Sequence, residues 1–487
     1  MPPYTLLPFR FAELDGRILL VNEVGEFHAL AMDGFKRFID NDMAVDSMEF
    51  LDLKAKQFAT DTALEPALNM LATKYRTKKA FLNDFTTLHM VVPTIRCNCR
   101  CLYCQVSSRA DGTVGTADMS ADTARKIVRT IMEGSADSIK VEFQGGEPLL
   151  RFDLIKLMID EFAVINCADQ KVIQFVVCTN LTLITNDMLH FFRKHGVVIS
   201  TSLDGERTMH DANRPMRGVG SSHDLLMAKL KCCRQILGEQ SVSALLTVTR
   251  NNLGQLRKVV DEYVRNGFSS IFIRPLNPFG AAIDNGMLDE YSAEDFVAAY
   301  LDVLEYILEI NRQGSFFVEE FAALLLQRIL TPFPTGFVDL QSPTGATIQC
   351  ALYNHDGNVY VSDEARMLAE TGDMTYRMGN VHKHGFEDLF GSYMVRKLVR
   401  ESCLEITPIC TDCAYLPYCG SDPVRDYVWE KRKNCASGRR RACREKKPIF
   451  DHLFRTLIDP RADILDIYWS WITRRTFSNI RLSRTTP

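Results

Sequence analysis

The chain has 487 residues, of which 46% are hydrophobic and 24% charged, so its length is sufficient for roughly two to four globular domains. Its formal net charge of −4 argues against bulk attraction to nucleic acid or to an anionic membrane surface. Fifteen cysteines, no signal-peptide pattern at the start and no apolar run of transmembrane length favour metal or redox chemistry in the reducing cytoplasm over disulfide bonds.

Residues 1–85 are predicted to form a first unit. Residues 17–22 and 26–30 have strand patterns on either side of a turn at Glu23-Val-Gly25, and 33–40 and 63–73 carry apolar residues at helical spacing. A hairpin followed by helices resembles the winged-helix peptide-recognition domains of the PqqD type. That resemblance implies a leader peptide bound at an exposed sheet edge. A capping domain without a binding role fits the same residues.

From residue 88 the pattern changes to apolar, β-branched strands that alternate with amphipathic helices. Alternation of this kind predicts an α/β fold with a parallel sheet. Six repeats without a Rossmann glycine fingerprint predict a partial (β/α)6 barrel over 86–315, with ligands at the carboxyl ends of the strands. The predicted strands are 88–92, 139–144, 172–178, 197–203, 242–248 and 270–274, and the predicted helices are 121–132, 152–165, 187–195, 224–237, 255–266 and 293–310.

The first strand leads into a cysteine loop in which Cys97, Cys101 and Cys104 have the spacing C-x3-C-x2-C. Three thiolates can hold three irons of a [4Fe–4S] cluster and leave the fourth iron open, which marks a chemical site rather than a structural one. Cys99 lies too close to its neighbours to join the same cluster easily. A zinc knuckle or a disulfide cluster is the alternative, but zinc sites typically have two Cys-x2-Cys pairs.

This loop resembles the signature of the radical S-adenosylmethionine (SAM) enzymes, in which the open iron binds the amino and carboxylate groups of SAM. Motifs at the carboxyl ends of two later predicted strands support the resemblance. Gly145-Gly-Glu-Pro148 matches the motif that holds the SAM amino group, and Ser202 in Ser202-Leu-Asp-Gly205 is the candidate for the SAM ribose. Arg214 is a candidate for the SAM carboxylate, although a surface arginine fits equally. The residues implied to bind the cofactor are Tyr103, Gly145, Gly146, Glu147, Ser202 and Arg214.

A linking helix and loop over 316–340 and a cysteine-rich unit over 341–455 are predicted to follow, with a tail over 456–487. Residues 316–330 have the pattern of one amphipathic helix. Cys410-x2-Cys413-x5-Cys419 resembles the SPASM extension of peptide-maturing radical SAM enzymes, which carries auxiliary clusters. The resemblance implies one auxiliary [4Fe–4S] cluster on Cys410, Cys413, Cys419 and Cys443, with Cys443 preferred to Cys435. A zinc ribbon is the alternative.

A first auxiliary cluster is predicted to be absent, because Cys350 is the one cysteine that remains near its place and Ser362 stands where the family has cysteine. Asp363 follows Ser362 directly, and sulfatase-maturing relatives place a candidate base there, so Asp363 is the predicted catalytic residue. Glu364 or Arg366 could instead satisfy it structurally. Four further cysteines are interpreted as core-type or incidental, namely Cys167, Cys178, Cys232 and Cys233.

Segments 7–11, 19–27, 353–360 and 419–423 resemble the B-type radical SAM maturase of the His-Xaa-Ser system. That resemblance implies a precursor peptide with His-Xaa-Ser repeats, a second radical SAM protein as partner, and a flavodoxin- or ferredoxin-like electron donor. The implied reaction is hydrogen abstraction by a 5′-deoxyadenosyl radical followed by oxidative crosslinking. Epimerisation with Cys350 or Cys403 as hydrogen donor, a small-molecule substrate and a non-catalytic scaffold are the alternatives.

Overall fold

The computed structural model of the chain describes residues 2–83, 86–110, 117–433, 438–459 and 461–480, and the side chains of 433–440 lie outside that description. The N-terminal unit is built on a three-stranded antiparallel sheet in the order β2-β3-β4. Its elements are β1 (Thr5–Leu6), β2 (Phe9–Leu14), β3 (Arg17–Asn22), β4 (Phe27–Ala31), α1 (Met32–Ile39), α2 (Met48–Ala55), β5 (Ala59–Thr60) and α3 (Leu64–Lys78). Both predicted strands and both predicted helices are confirmed, while α2 was not predicted.

Side chains of β3 alternate between two hydrophobic cores, as expected for a strand that is covered on both faces. Ile18 and Leu20 pack into a core shared with α1 and α2, whereas Leu19 and Val21 join the main core of the molecule. The N-terminal sheet is therefore packed onto the rest of the chain through its second face.

The central part follows the predicted alternation of strands and helices. Its elements are β6 (Leu88–Thr94), β7 (Arg96–Cys97), β8 (Arg109–Ala110), α4 (Ala121–Met132), β9 (Ser138–Gly145), α5 (Phe152–Asp169), β10 (Val172–Cys178), α6 (Asn186–His195), β11 (Val198–Ser202), α7 (Arg207–Asn213), α8 (Ser222–Leu237), β12 (Val242–Thr247), α9 (Arg250–Leu253), α10 (Leu256–Arg265), β13 (Ser270–Arg274), α11 (Ala281–Asp284) and α12 (Ala293–Arg312). All six predicted strands are present, and the α/β prediction is confirmed.

The main sheet is larger than predicted and mixed. Its order is β14-β13-β12-β11-β10-β9-β6-β15-β16-β17, and the seven strands from β14 to β6 are parallel to their neighbours. The added strands are β14 (Val318–Glu319), β15 (Cys350–Tyr353), β16 (Asn358–Tyr360) and β17 (Arg377–Asn380). Because β15 pairs in parallel with β6, the cysteine-rich region extends the central sheet.

The prediction of one helix over 316–330 was wrong at its start. Val318–Glu319 pairs with β13 as strand β14, and the helix α13 (Glu320–Leu330) begins directly after it. The side chain of Glu319 caps this helix by accepting a hydrogen bond from the backbone nitrogen of Ala322 at 2.6 Å. Val318 and Glu319 thus form a short strand within an apolar run, and the capping glutamate starts the helix directly after it.

The prediction of a tail over 456–487 also needs correction. The C-terminal helices are α14 (Asp363–Ala369), α15 (Phe386–Phe390), α16 (Tyr393–Glu401), α17 (Pro423–Lys433), α18 (Gly438–Ile458) and α19 (Ala462–Thr473). Helix α19 is packed against α12 and α13, with Ile464, Ile467, Tyr468 and Trp471 buried at helical spacing. No helix among the described residues is long and apolar enough to cross a membrane.

Candidate active site

The cysteine loop 97–104 is held at the carboxyl edge of the parallel strands by backbone bonds to several distant segments. The nitrogens of Arg100 and Leu102 donate to the carbonyls of Pro215 and Asn213 at 2.8 and 2.9 Å, and the nitrogen of Ala281 donates to the carbonyl of Cys104 at 2.9 Å. The loop is thus fixed from two sides by chain that follows β11 and β13.

Gly145 and Gly146 are required where the end of β9 passes the start of the cysteine loop. Gly145 has a φ of +132°, and a Cβ on it would overlap the carbonyl oxygen of Thr94. A Cβ on Gly146 would overlap the carbonyl oxygen of Arg96. Both glycines let two stretches of backbone approach each other, and their predicted contact with a ligand stays a prediction.

Glu147 directly follows the two glycines and is 1% exposed. Its Oε1 accepts from the hydroxyl of Thr179 at 2.7 Å and from the nitrogen of Leu149 at 3.1 Å, and its Oε2 accepts from the nitrogen of Asn180 at 2.9 Å. Burial raises the pKa of Glu147 to about 7, although the hydrogen bonds that the carboxylate accepts act to lower it. The carboxylate therefore holds strand ends β9 and β10 together, and its contact with SAM stays a prediction.

A cavity of about 190 Å³ opens above the strand ends. The structure brings together there most of the residues predicted to bind the cluster and SAM. They are Cys97, Cys101, Tyr103, Cys104, Gly145, Gly146, Ser202 and Arg214. Burial raises the pKa of Cys101 to about 12, so its thiolate requires a compensating cation.

Asn180 contacts the cysteine loop, although the sequence argument assigned it no role. Its Nδ2 donates to Asn98 Oδ1 at 2.9 Å and lies 3.5 Å from the sulfur of Cys99 and 3.9 Å from the sulfur of Cys97. Hydrogen bonds of this kind to ligand sulfurs tune a metal site. The Thr-Asn pair at the end of the third predicted strand was the available signal.

Asp204 is a second polar residue that the sequence argument missed. It is fully buried, and its Oδ2 accepts from the hydroxyl of Tyr103 at 2.5 Å and from Nε of Arg214 at 3.0 Å. The Arg214 guanidinium lies 5.1 Å from the centre of the Tyr103 ring. Arg214 is therefore a largely buried, ion-paired cation of the cavity wall.

A second cavity of about 230 Å³ lies between β13 and the C-terminal region. Arg274, the last residue of β13, lines both cavities. Among the described residues its side chain has no hydrogen bond or ion pair. The second cavity also carries carboxyl groups from four segments, which are Asp339, Asp363, Glu364, Asp422 and Glu445. Burial raises the pKa of Asp422 to about 7 and that of Glu364 further above its usual range.

Asp363 begins helix α14 and lines the second cavity, beside Ser362 and Cys350. Arg366 does not pair with it, because its guanidinium donates to Glu370 at 3.3 Å and to the carbonyl of Val106 at 3.1 Å. The hydroxyl of Ser362 accepts from the nitrogen of Ala365 at 3.3 Å and so caps the helix. The catalytic role of Asp363 stays a prediction.

Outside the cysteine loop, two of the described thiols line the cavities. Cys350 lines the second cavity, and Cys178 lines the first, where its sulfur donates to Glu142 at 3.0 Å. Cys178 was interpreted as core-type or incidental, but its thiol faces the cavity that holds the cysteine loop. Cys403 lines neither cavity, and its sulfur donates to the carbonyl of Val399 at 3.4 Å.

The C-terminal cysteines Cys410, Cys413 and Cys419 lie in one short segment, with Cys410 buried and the other two half-buried. Helix α18 packs beside this segment, because Phe450 stacks on Tyr415 with centroids 5.2 Å apart and Lys446 donates to the carbonyl of Gly420 at 3.4 Å.

Cys443 is exposed and precedes Lys446 by three residues, so it lies on the same helix face, one turn earlier. Cys435, the alternative fourth ligand, lies outside the described residues.

Residues 91–263 match the family model described as the Radical SAM superfamily. This match, over about a third of the chain, and the sulfatase-maturating relatives described below indicate a radical SAM enzyme. The matched range contains the cysteine loop, the Gly145–Glu147 motif and the Tyr103–Asp204–Arg214 group. Members of this superfamily use a [4Fe–4S] cluster and SAM, and the sulfur donors and polar groups that line the first cavity fit both.

Relatives of this radical SAM enzyme include maturases. An uncharacterized protein of Methanocaldococcus jannaschii is 31% identical over 197 residues, which cover 39% of this chain and 63% of that protein. The cysteine-type anaerobic sulfatase-maturating enzyme of Clostridium novyi is 24% identical over 338 residues, which cover 67% of this chain and 84% of that enzyme.

Solved structures support the fold. The anaerobic sulfatase-maturating enzyme anSMEcpe with bound AdoMet matches with a TM-score of 0.65 at 18% identity, over 79% of this chain and 98% of that one. Streptococcus suis SuiB bound to its precursor peptide SuiA matches with a TM-score of 0.52 at 14% identity, over 89% of this chain and 98% of that one. At these identities the likeness concerns the fold alone.

Proposed function

We propose that this radical SAM enzyme modifies a ribosomally made precursor peptide. The observation that carries the proposal is the pair of adjoining cavities that share Arg274. The first cavity has the sulfur ligands and the SAM-facing polar groups, and the second offers space and acidic groups for a substrate side chain. Solved relatives of the same fold were crystallised with peptides, namely anSMEcpe with the Cp18Cys peptide and SuiB with SuiA.

In this proposal some residues of the chain bind the cluster and others contact SAM. Cys97, Cys101 and Cys104 hold the [4Fe–4S] cluster, and Asn180 donates to the sulfur side of the loop. Ser202 and Arg214 face SAM from the strand ends, with Arg214 oriented by Asp204. When bound, the cluster and SAM supply the 5′-deoxyadenosyl radical that removes a hydrogen atom from the substrate.

Asp363 is the proposed base on the substrate side. It lies at the first turn of α14 and lines the second cavity, so a proton released from a substrate in that cavity can reach its carboxylate. Cys410, Cys413, Cys419 and Cys443 are the residues that would hold an auxiliary [4Fe–4S] cluster, which would supply an acceptor for the electron lost by the substrate. The net reaction is then an oxidation, and formation of an intramolecular crosslink fits it best.

The resemblance to the His-Xaa-Ser B-type maturases gives the proposed substrate, a precursor with His-Xaa-Ser repeats. A second radical SAM protein and a flavodoxin- or ferredoxin-like donor are the proposed partners. The N-terminal unit supports the peptide proposal, because β2 is an edge strand of its sheet and can pair with an added peptide strand.

The decisive experiment is anaerobic reconstitution with a precursor peptide encoded beside this chain. We expect about eight irons per chain for two clusters, formation of 5′-deoxyadenosine, and peptide lighter by two hydrogen atoms. A chain that carries iron but never cleaves SAM would contradict the enzymatic proposal. SAM cleavage without any peptide product would contradict the peptide substrate and favour a small molecule.

Epimerisation is the second candidate, because the thiols of Cys178 and Cys350 face the cavities and a thiol can return a hydrogen atom to a substrate radical. The same reaction in D2O distinguishes the two outcomes. Epimerisation in D2O replaces one hydrogen of the peptide by a deuterium from solvent, whereas crosslinking removes two hydrogens and returns none.

A further inference from the structure

Basic residues from two distant parts of the chain meet beside the C-terminal cysteines. Lys78 is the last residue of α3, Lys79 follows it, and Arg328 lies in α13. Together with Cys419 they line a narrow cavity of about 20 Å³. We call Lys78, Lys79 and Arg328 the basic cluster. Lys79 forms an ion pair with Glu405 at 2.7 Å.

Arg328 is directed at the backbone just before Cys419. Its Nε donates to the carbonyl of Tyr418 at 2.9 Å, and its NH2 group donates to the carbonyl of Pro417 at 3.2 Å. No ion pair of Arg328 is found in the described ranges. Cys419 lines the same small cavity as this buried cation.

Lys78, in the N-terminal unit, also contacts the segment just before Cys419. Its Nζ donates to the carbonyl of Val24 at 2.9 Å and lies 5.2 Å from the centre of the Tyr418 ring. The turn at Gly25, with a φ of +81°, packs so closely that a Cβ there would lie 2.6 Å from Lys78 Nζ. Within the part of the chain that the structure describes, Lys78 has no ion pair either.

A cation that loses water and gains no carboxylate is costly, so an anion is expected nearby. Four thiolates outweigh the positive charge of a [4Fe–4S] core, and the complex becomes more negative when it accepts an electron. Positive charges beside it therefore favour the reduced form. We propose that the basic cluster compensates the charge of the auxiliary cluster and raises its reduction potential, which rests on the proposed function.

The proposal gives the N-terminal unit a part in redox chemistry. Tyr418 connects the two regions, because its hydroxyl donates to the carbonyl of Gly25 at 2.8 Å while its own carbonyl accepts from Arg328. Arg10 of β2 also donates to the carbonyl of Thr411, between Cys410 and Cys413. The electron taken from the substrate thus arrives at a site whose electrostatics depend on residues outside the cysteine-rich region.

The test is a redox titration of the auxiliary cluster alone, in the full-length C97A/C101A/C104A background that removes the SAM-binding cluster. Midpoint potentials are measured by electron paramagnetic resonance, with iron per chain determined in parallel. Arg328→Gln removes one charge, Lys78→Gln removes an amine whose pKa burial lowers to about 7, Arg328→Lys keeps the charge, and Arg257→Gln removes an exposed, ion-paired arginine as a matched control.

We expect a lower midpoint potential in R328Q and in K78Q, and an unchanged potential in R328K and R257Q. Unchanged potentials in R328Q and K78Q at full iron content would overturn the inference. If R328Q fails to bind iron, the potential of K78Q decides. Arg328 would then be a structural residue as well.

The wild-type enzyme separates this inference from the proposed function. About four irons per chain together with SAM cleavage would overturn the inference while the radical SAM activity stands. Two clusters and shifted potentials without any modified peptide would support the inference and contradict the peptide substrate.

Discussion

Asp204 shows how a buried carboxylate orients a cation that faces a cofactor cavity. We expect Asp204→Asn to leave the buried Arg214 guanidinium without its counter-ion, at a cost of about 3 kcal/mol in unfolding free energy. The freed side chain should also weaken SAM binding about tenfold, the equivalent of about 1.4 kcal/mol. Equilibrium SAM binding and chemical denaturation measure both effects. Asp302→Asn, at an exposed ion pair, is the control, and an unchanged SAM affinity would contradict the role of Asp204.

At the residue scale, the sequence pattern predicted three thiols that the structure brings to one cavity, and it missed the polar groups around them. Cys97, Cys101 and Cys104 are recognisable because their spacing is local. The contacts of Asn180 and Asp204 depend on partners 82 and 101 residues away in the chain, which no local pattern reveals. Glu147 was predicted as a SAM ligand from its motif, but its three hydrogen bonds are visible only once β9 and β10 are paired.

Gly145 and Gly146 act at the scale of elements, because they let β9 approach the entry of the cysteine loop. We expect Gly145→Ala and Gly146→Ala to displace the backbone at Thr94 and Arg96 and to lower iron binding at the loop by more than half. Iron per chain and the absorbance of the reconstituted protein measure the loss. Gly254→Ala has no atom within 4 Å of the added Cβ and should retain its iron. Normal iron content in both variants would show that the loop tolerates the displacement.

Glu319 connects β14 to α13 and should make stability depend on pH. It is fully buried, and burial raises its pKa to about 7 from an ordinary 4.5, although Tyr300 and the nitrogens of Ala322 and Ile273 donate to it. The folded state holds the proton more tightly, so its contribution to unfolding free energy is largest below pH 4.5. That contribution falls as the pH rises to about 7, by at most about 3 kcal/mol.

Urea denaturation between pH 5 and pH 8 tests this, with Glu319→Gln expected to flatten the decrease. The comparison is between slopes, because glutamine also loses one of the accepted hydrogen bonds. Glu294→Gln, at an exposed side chain, should keep the wild-type slope. Equal slopes in the wild type and E319Q would contradict a protonated Glu319.

Strands and helices were predicted correctly where they are long and periodic. The prediction failed where contact with a distant segment determines the secondary structure. The six central strands are apolar runs with clear ends. Val318–Glu319 is only two residues long and becomes a strand because β13 is beside it. Helix α19 was predicted as a tail, but its apolar face with Trp471 is covered by α12 and α13.

At the scale of the molecule, the cysteine-rich region and the central sheet form a single structure. Strand β15 pairs with β6 across more than 250 residues of chain, in the register of Cys350 with Leu88. This pairing brings Cys350, Ser362 and Asp363 to the side of β13, so the second cavity is enclosed by both regions. The change in composition along the chain predicted where the cysteine-rich region begins. It could not predict that this region shares a sheet with the central part.

Arg274 lies where these regions meet, and it lines both cavities. We expect Arg274→Ala to bind SAM normally but to position the substrate poorly, because the residue is the cation common to the two sites. The ratio of 5′-deoxyadenosine formed to peptide modified should rise about tenfold, the equivalent of about 1.4 kcal/mol in the competing barriers. Chromatography of the nucleoside and mass spectrometry of the peptide give this ratio. Arg257→Ala is the control, and an unchanged ratio in R274A would mean that the substrate does not reach the boundary between the cavities.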